Sequence, residues 1–237
     1  MISIVIPVYN FADEADKIIL ELVNWSKKYF NDIEIIFVND GSTDKTADKI
    51  GQYASNEKIK LINFAENKGK GAAVKAGIMQ SAGDYIIFTD ADLPYGLEVI
   101  DKFKEKFVAG YEIILGKRIL TELQLNTYYE IKRRILSYIF LKSANLILLN
   151  KINDTQCGIK GFSKQAAKDI FSKVKTSKFS FDVEVIYLAQ KLDYKIIQVP
   201  VVLLNNEIST MKPFKDGLMM FVDLAKLYFR NKIRKIK

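Results

Sequence analysis

The first half of the chain alternates short apolar runs with amphipathic stretches, and that order leaves few folds open. Runs at 2–6, 33–38, 59–64, 85–89 and 112–115 have the length and composition of buried strands. Between them, 13–29, 43–54, 71–81 and 97–107 carry apolar residues at helical spacing, as Ile18, Ile19, Leu22 and Val23 do in the first. Strands that alternate with helices pack as a mostly parallel, doubly wound sheet, because each parallel connection must cross over a face. The expected fold class is therefore α/β. The second half is less regular. Stretches 128–149, 164–172, 181–192 and 213–230 read as helices, 195–202 as a strand and 154–162 as a loop.

The 237 residues, about half of them apolar, suffice for one substantial core with a C-terminal extension. The formal net charge of +8 favours polyanionic partners: nucleic acid, anionic lipid or phosphorylated substrates. The chain has no histidine, which excludes a Ser-His-Asp triad, a His-ligated zinc and a His general base. Its single cysteine, Cys157, excludes an internal disulfide and reads as a small buried residue. The opening residues read as the first strand rather than a signal peptide. The most apolar stretch, 135–149, is shorter than the roughly 20 residues a membrane span needs. Lys142 and Asn145 also interrupt it, so no span is expected.

The chemistry-bearing residues follow the strands. Asp90-Ala91-Asp92 comes directly after the fourth apolar run, so two carboxylates fall at the carboxyl edge of the sheet, where open α/β sheets bind ligands. Hard oxygen donors there suit Mg²⁺ or Mn²⁺ held together with substrate phosphates. Pro7-Val8-Tyr9-Asn10 reads as a strand terminator, or as a strand end where Tyr9 stacks on a base that Asn10 hydrogen-bonds. Asn39-Asp40-Gly41-Ser42 follows the second run. Asp40 faces the ligand edge or simply caps a turn, and Ser42 or Thr43 caps the next helix. Asn67-Lys68-Gly69-Lys70-Gly71 opens a helix with glycines and cations, a phosphate contact or a solvated basic turn. In Asp154-Thr155-Gln156-Cys157-Gly158-Ile159-Lys160, Gln156 offers a neutral oxygen ligand and Lys160 a cation for phosphate. Asp182 and Glu184 lie two apart, so on a helix they do not share a face and one of them caps the helix or pairs with a base. Cations flank the apolar stretches at 135–149 and from Phe214 onward, as suits an anionic membrane surface or a solvated tail.

With these motifs in order, the chain resembles the inverting family 2 glycosyltransferases of the GT-A fold, a Rossmann-like, mostly parallel doubly wound sheet. Within them it resembles the polyprenyl-phosphate hexosyltransferases, and the Asp154-Thr155-Gln156-Cys157-Gly158 stretch carries that finer likeness. The resemblance implies a catalytic domain over 1–212 and an amphipathic basic C-terminal helix over 213–237 that touches the membrane surface. It implies that Pro7, Tyr9, Asn10 and Asp40 line a nucleoside pocket and that Asp90 contacts ribose or metal. Asp92 is then the main metal ligand, and Gln156 completes the shell. Arg118, Arg133 or Arg134 receives an acceptor phosphate, and Ser209 and Lys212 sit in a loop that closes over the donor pyrophosphate. The implied partners are a nucleotide-diphosphate sugar such as UDP-glucose, a polyprenyl phosphate and the membrane surface, not nucleic acid. An integral membrane partner and a homo-oligomer stay open. The implied location is cytoplasmic, peripheral on the inner face of the membrane. Among relatives of this kind, many add membrane helices that this sequence does not show.

A phosphate acceptor needs little proton transfer. Its second pKa is about 6, so its oxygen is already anionic at neutral pH. A sugar-hydroxyl acceptor instead needs a general base, and Asp182 or Glu184 is the candidate. Two further readings are a sugar-nucleotide nucleotidyltransferase, which usually has a glycine-rich loop after the first strand, and a non-catalytic lipid- or nucleotide-binding protein.

Overall fold

The computed structural model describes residues 1–29, 32–54, 57–119, 128–178, 180–204 and 213–234. Its strands are β1 (Ile2–Val8), β2 (Ile33–Asn39), β3 (Ile59–Asn63), β4 (Tyr85–Phe88), β5 (Ile113–Ile119), β6 (Lys160–Ser163) and β7 (Ile196–Val202). Its helices are α1 (Ala12–Ser26), α2 (Thr46–Gln52), α3 (Lys70–Gln80), α4 (Glu98–Val108), α5 (Tyr128–Ile147), α6 (Lys164–Phe171), α7 (Phe181–Lys191) and α8 (Pro213–Arg234). The strands form one sheet in the order β3-β2-β1-β4-β6-β5-β7, and only β6 runs antiparallel to its neighbours.

Both faces of the sheet are covered. Val5, Ile36, Val38, Phe88 and Phe162 face one core with α3, α5, α6, α7 and α8. Ile4, Ile6, Ile35, Phe37 and Ile87 face the other, with α1, α2 and α4. Strands buried on both sides read as near-continuous apolar runs, which is why they are legible in the sequence. Through the first core Phe88 stacks on Phe162 at 6.3 Å between ring centroids, and Phe162 meets Phe171 edge to face at 5.3 Å. The last helix belongs to this core as well, through Met220, Leu224 and Leu227.

Three local expectations need correction. Residues 160–163 are not loop but the antiparallel strand β6. Four residues with a lysine and a glycine carry no strand signal, and only pairing on both sides makes them one. Pro7 does not end β1 but lies inside it, opposite Val38. The β1–β4 ladder stops at Val5 and Phe88, with Thr89 N–H donating to the Val5 carbonyl. Pro7 points to the same side as Val5, beyond that last pair, so its missing N–H costs no ladder bond. Finally, neither Ser42 nor Thr43 caps α2. The Asp44 carboxylate accepts from the Thr46 amide at 3.0 Å, while Ser42 and Thr43 bond to Asn10 instead.

At the opposite, amino edge of the sheet, buried Glu34 accepts from the Ser3 hydroxyl, the Lys60 ammonium and the Ala82 amide. This satisfied network leaves that edge closed. On the α3 face, Gly77 lets the helix lie directly on β1, since a Cβ there would collide with Val5 and come within 3.0 Å of Val38. Gly77→Ala is expected to cost about 1–3 kcal/mol by overpacking, visible as a lowered thermal midpoint.

Candidate active site

The carboxyl ends of β1, β2, β4 and β5 and the start of β6 meet at one edge, and the loops there are tied to one another. Asn10 adopts φ 49°, turning the chain out of β1. Its amide donates to the Ser42 hydroxyl at 2.9 Å, and its side-chain oxygen accepts from the Thr43 amide at 2.9 Å. Tyr9 beside it is half exposed, its ring open at the edge. Gly41, at φ 68°, presses against the backbone of Glu66 and Asn67, where no Cβ would fit.

Asp40 is buried, and its two oxygens accept from the amides of Lys68 and Gly69 at 2.7 and 2.9 Å. Burial raises its pKa despite those bonds. The carboxylate that the sequence offers to a ribose thus also holds the loop that leads into α3. Next in that loop, Lys70 forms an ion pair with Asp90 at the end of β4. Burial works against the ammonium, but Asp90, Asp182 and Asp92 outweigh it and raise its pKa. Asp90 sits on Gly158, whose Cα leaves no room for a side chain because the carboxylate occupies it. Asp92 lies on a cleft of about 250 Å³ with Glu14, Lys17 and Leu204.

Arg118, near the end of β5, is gripped by Asp154 in a bidentate pair, Nε to Oδ2 at 2.7 Å and Nη2 to Oδ1 at 2.9 Å. Burial opposes the charge on Asp154, but Arg118 prevails and holds the carboxyl below the usual range. The same carboxylate accepts from the Gln156 amide at 3.0 Å, which orders the Asp154–Gly158 loop. The Gln156 side chain contacts Met220 Sδ of α8 at 3.5 Å. Tyr95 Oη accepts from the Gly158 amide at 3.2 Å, and burial raises the pKa of both the Tyr95 phenol and the Cys157 thiol.

Two assignments change. Lys160, read as a cation for phosphate, is wholly buried and donates to Asp182 at 2.6 Å and to the Cys157 carbonyl at 2.8 Å. Glu184, read as a catalytic acid, is 1 % exposed. It accepts from the Lys175 and Thr176 amides and pairs with Arg230 of α8, so it is a clamp and touches no open surface. Asp182 is nearer the edge, within the field of Lys70 and Asp90, but buried; desolvation raises its pKa against the pull of Lys160. Arg133 and Arg134 lie in α5, but their side chains, like Ser209 and Lys212, are outside the described residues. The sequence reading missed Asp154 as the holder of Arg118 and Gly158 as the seat of Asp90. Both stand in a motif already singled out, but only the return of the chain along β6 brings them to these partners.

Among the described residues no three acids or thiols form a metal cage. Asp90, seated on Gly158, and Asp92, on the cleft beside Glu14, offer carboxylate oxygens after β4, while the Gln156 side chain lies against Met220. Such carboxylate oxygens fit a hard divalent ion shared with phosphate oxygens.

Charged side chains thus gather at the carboxyl edge of the sheet, the edge at which open α/β folds bind ligands. Residues 3–171 match the family described as "Glycosyl transferase family 2", and the chain belongs to that family; it is a glycosyltransferase. It is 32% identical to a dolichyl-phosphate beta-glucosyltransferase of Dictyostelium discoideum, over 97% of this chain and 74% of the relative. It is 32% identical to the Saccharomyces cerevisiae dolichyl-phosphate beta-glucosyltransferase, over 94% of this chain and 73% of that one. Its fold matches GT-A structures. The glucosyl-3-phosphoglycerate synthase of Mycobacterium tuberculosis in complex with Mn²⁺ and UDP-glucose superposes with TM-score 0.68 at 16% identity, over 94% of this chain and 78% of that one. The mannosyl-3-phosphoglycerate synthase of Rubrobacter xylanophilus gives the same TM-score and identity, over 99% and 75%.

Gly158→Ala is expected to displace the Asp90 carboxylate and lower glycosyl transfer by about a hundredfold, with folding retained by circular dichroism. The Arg118–Asp154 pair also predicts a pH dependence. A depressed carboxyl pKa contributes stability above the unfolded value of 3.8, and that stability fades as pH falls through the lower folded value. Asp154→Asn should remove this part of the acid dependence of the thermal midpoint, measured from about pH 6 downward.

Proposed function

We propose that the protein transfers glucose, or another hexose, from UDP-glucose or a similar nucleotide sugar to a polyprenyl phosphate, with inversion at the anomeric carbon. The relatives above carry that acceptor and that sugar in their names. The observation that carries the reading is the state of the two acids on α7. Asp182 is buried against Lys160 and Glu184 against Arg230 and two amides, so neither presents an open carboxylate as the base a sugar hydroxyl needs. A phosphate acceptor needs none.

In this reading Tyr9, Asn10 and Asp40 border the nucleoside, with Pro7 behind them. Lys70 stands where the departing diphosphate would lie and would exchange Asp90 for phosphate oxygens. Asp90, Asp92 and Gln156 would hold Mg²⁺ or Mn²⁺, which supplies charge stabilisation to the diphosphate. Arg118, fixed by Asp154, presents its guanidinium to the acceptor, with Arg133 and Arg134 assigned to the same task and Ser209 and Lys212 to donor closure. An acceptor phosphate oxygen attacks the anomeric carbon from the face opposite the diphosphate. The carbon–oxygen bond to the diphosphate breaks and its electron pair leaves with the nucleotide.

The lipid acceptor places the enzyme at a membrane surface, on the cytoplasmic face in our reading. No helix among the described residues is long and apolar enough to cross a membrane. Instead α5 and α8 lean on each other, with Phe140 and Phe221 edge to face at 5.5 Å. Leu146, 87 % exposed, and Tyr138, Ile139, Val222 and Phe229 remain outside. Apolar side chains beside Lys142 and Lys226 suit the headgroup boundary. The segment 213–237 would thus add a membrane-facing surface to the catalytic body at 1–212, while its inner side stays part of the core.

Radiolabelled UDP-glucose and a short polyprenyl phosphate, with Mg²⁺ or Mn²⁺, test the reading. Label is expected in the organic phase with wild type and to fall by about two orders of magnitude with Asp92→Ala. Donor hydrolysis without lipid product would favour a hydroxyl acceptor and overturn the proposal.

A further inference from the structure

Lys70 is backed by a segment of chain far from it in sequence. The Ser177 carbonyl accepts from the Ala72 amide at 3.2 Å, and it lies 2.6 Å from where a Cβ on Gly69 would stand. The Thr176 carbonyl is 2.9 Å from the corresponding point on Gly71. Lys75 of α3 donates to the Val174 carbonyl at 2.7 Å. The first turn of α3 therefore rests on 174–177 with no slack, and Lys70 lies between the two glycines that make this contact.

That segment is held by Glu184. Its Oε2 accepts from the Thr176 amide at 2.8 Å and from the Lys175 amide at 3.1 Å. Its other oxygen pairs with Arg230, which is one-third exposed on α8. A carboxylate this deeply buried depends on its cation, since a charge stripped of its partner in the interior must be neutralised or must move. Either response weakens its grip on the two amides. A second tie joins α8 to the start of α7, where the Ser180 hydroxyl donates to Asp223. That tie does not touch 174–177.

We infer that Arg230, on the last helix, is a positioning residue for Lys70, acting through Glu184 and the 174–177 segment on the diphosphate side of the site. Because α8 also carries the exposed apolar face, the helix that rests on lipid is the one that braces the donor site. The inference rests on the assignment of Lys70 to the donor diphosphate.

The test uses the full chain, with UDP binding by calorimetry in the presence of Mn²⁺ and steady-state kinetics varying donor and acceptor separately. Arg230→Ala is expected to weaken UDP binding and raise the donor KM by about tenfold, within the usual range for coupled sites, and to leave the acceptor KM unchanged. Arg230→Lys should restore most of the loss. Asp223→Ala, which removes the acceptor of the other tie, should leave donor binding as in wild type. Wild-type donor affinity in Arg230→Ala overturns the inference, as does a loss confined to the acceptor KM. An equal loss in Asp223→Ala also overturns it, since general loosening of α8 would then suffice. If Arg230→Ala does not fold, Glu184→Gln, which keeps an acceptor for the amides but not the charge, must show the donor-specific loss. A wild-type protein that binds no UDP would instead count against the donor assignment itself.

Discussion

The carboxylates gathered at one edge of the sheet repel one another, and the arrangement around them is what keeps them there. Asp40 has two amides, Asp90 has Lys70, Asp154 has Arg118, Asp182 has Lys160, and Glu184 has Arg230 with two further amides. Burial makes the pairings of Asp182 and Glu184 obligatory, because an uncompensated charge in the interior costs several kcal/mol. Most of the partners come from distant segments. Neutralising the edge therefore closes the fold around it, and the loops of β1, β2, β4, β5 and β6 cannot drift independently.

The pairings divide into two kinds. Asp182 with Lys160 and Glu184 with Arg230 are deep, and their carboxylates have little contact with solvent. Lys70 with Asp90 and Arg118 with Asp154 are partly open, with side-chain exposures of 22%/33% and 35%/11%. A phosphorylated ligand can compete with the open pairs but not with the buried ones. In the proposed reading the partly open carboxylate pairs are the ones a phosphorylated ligand would reach, and the deep carboxylates of Asp182 and Glu184 hold other residues in place.

The parallel half of the sheet was legible because doubly buried strands advertise themselves as apolar runs. Asp40, Asp90 and Asp92 were legible for a related reason, since each follows such a run at the end where ligands bind. Less visible was β6. Lys160-Gly161-Phe162-Ser163 has no period or propensity of its own, and its strand character comes from pairing with β4 and β5 on either side. The mistaken roles of Lys160 and Glu184 share that origin. Which charged residue faces inward depends on pairings across dozens of residues, and spacing along the chain says nothing of them.

Strand β6 enters between β4 and β5 only after more than 150 residues have been made, and it brings Gly158 to Asp90 and Lys160 to Asp182. Synthesis proceeds from the amino end, and the parallel strands β1 to β4 can pair as they emerge. A chain released early would thus carry the acidic turn after β4 without the glycine seat for Asp90. It would also lack the counter-charges that arrive with the later segments. Truncated products would be left with an unfinished edge.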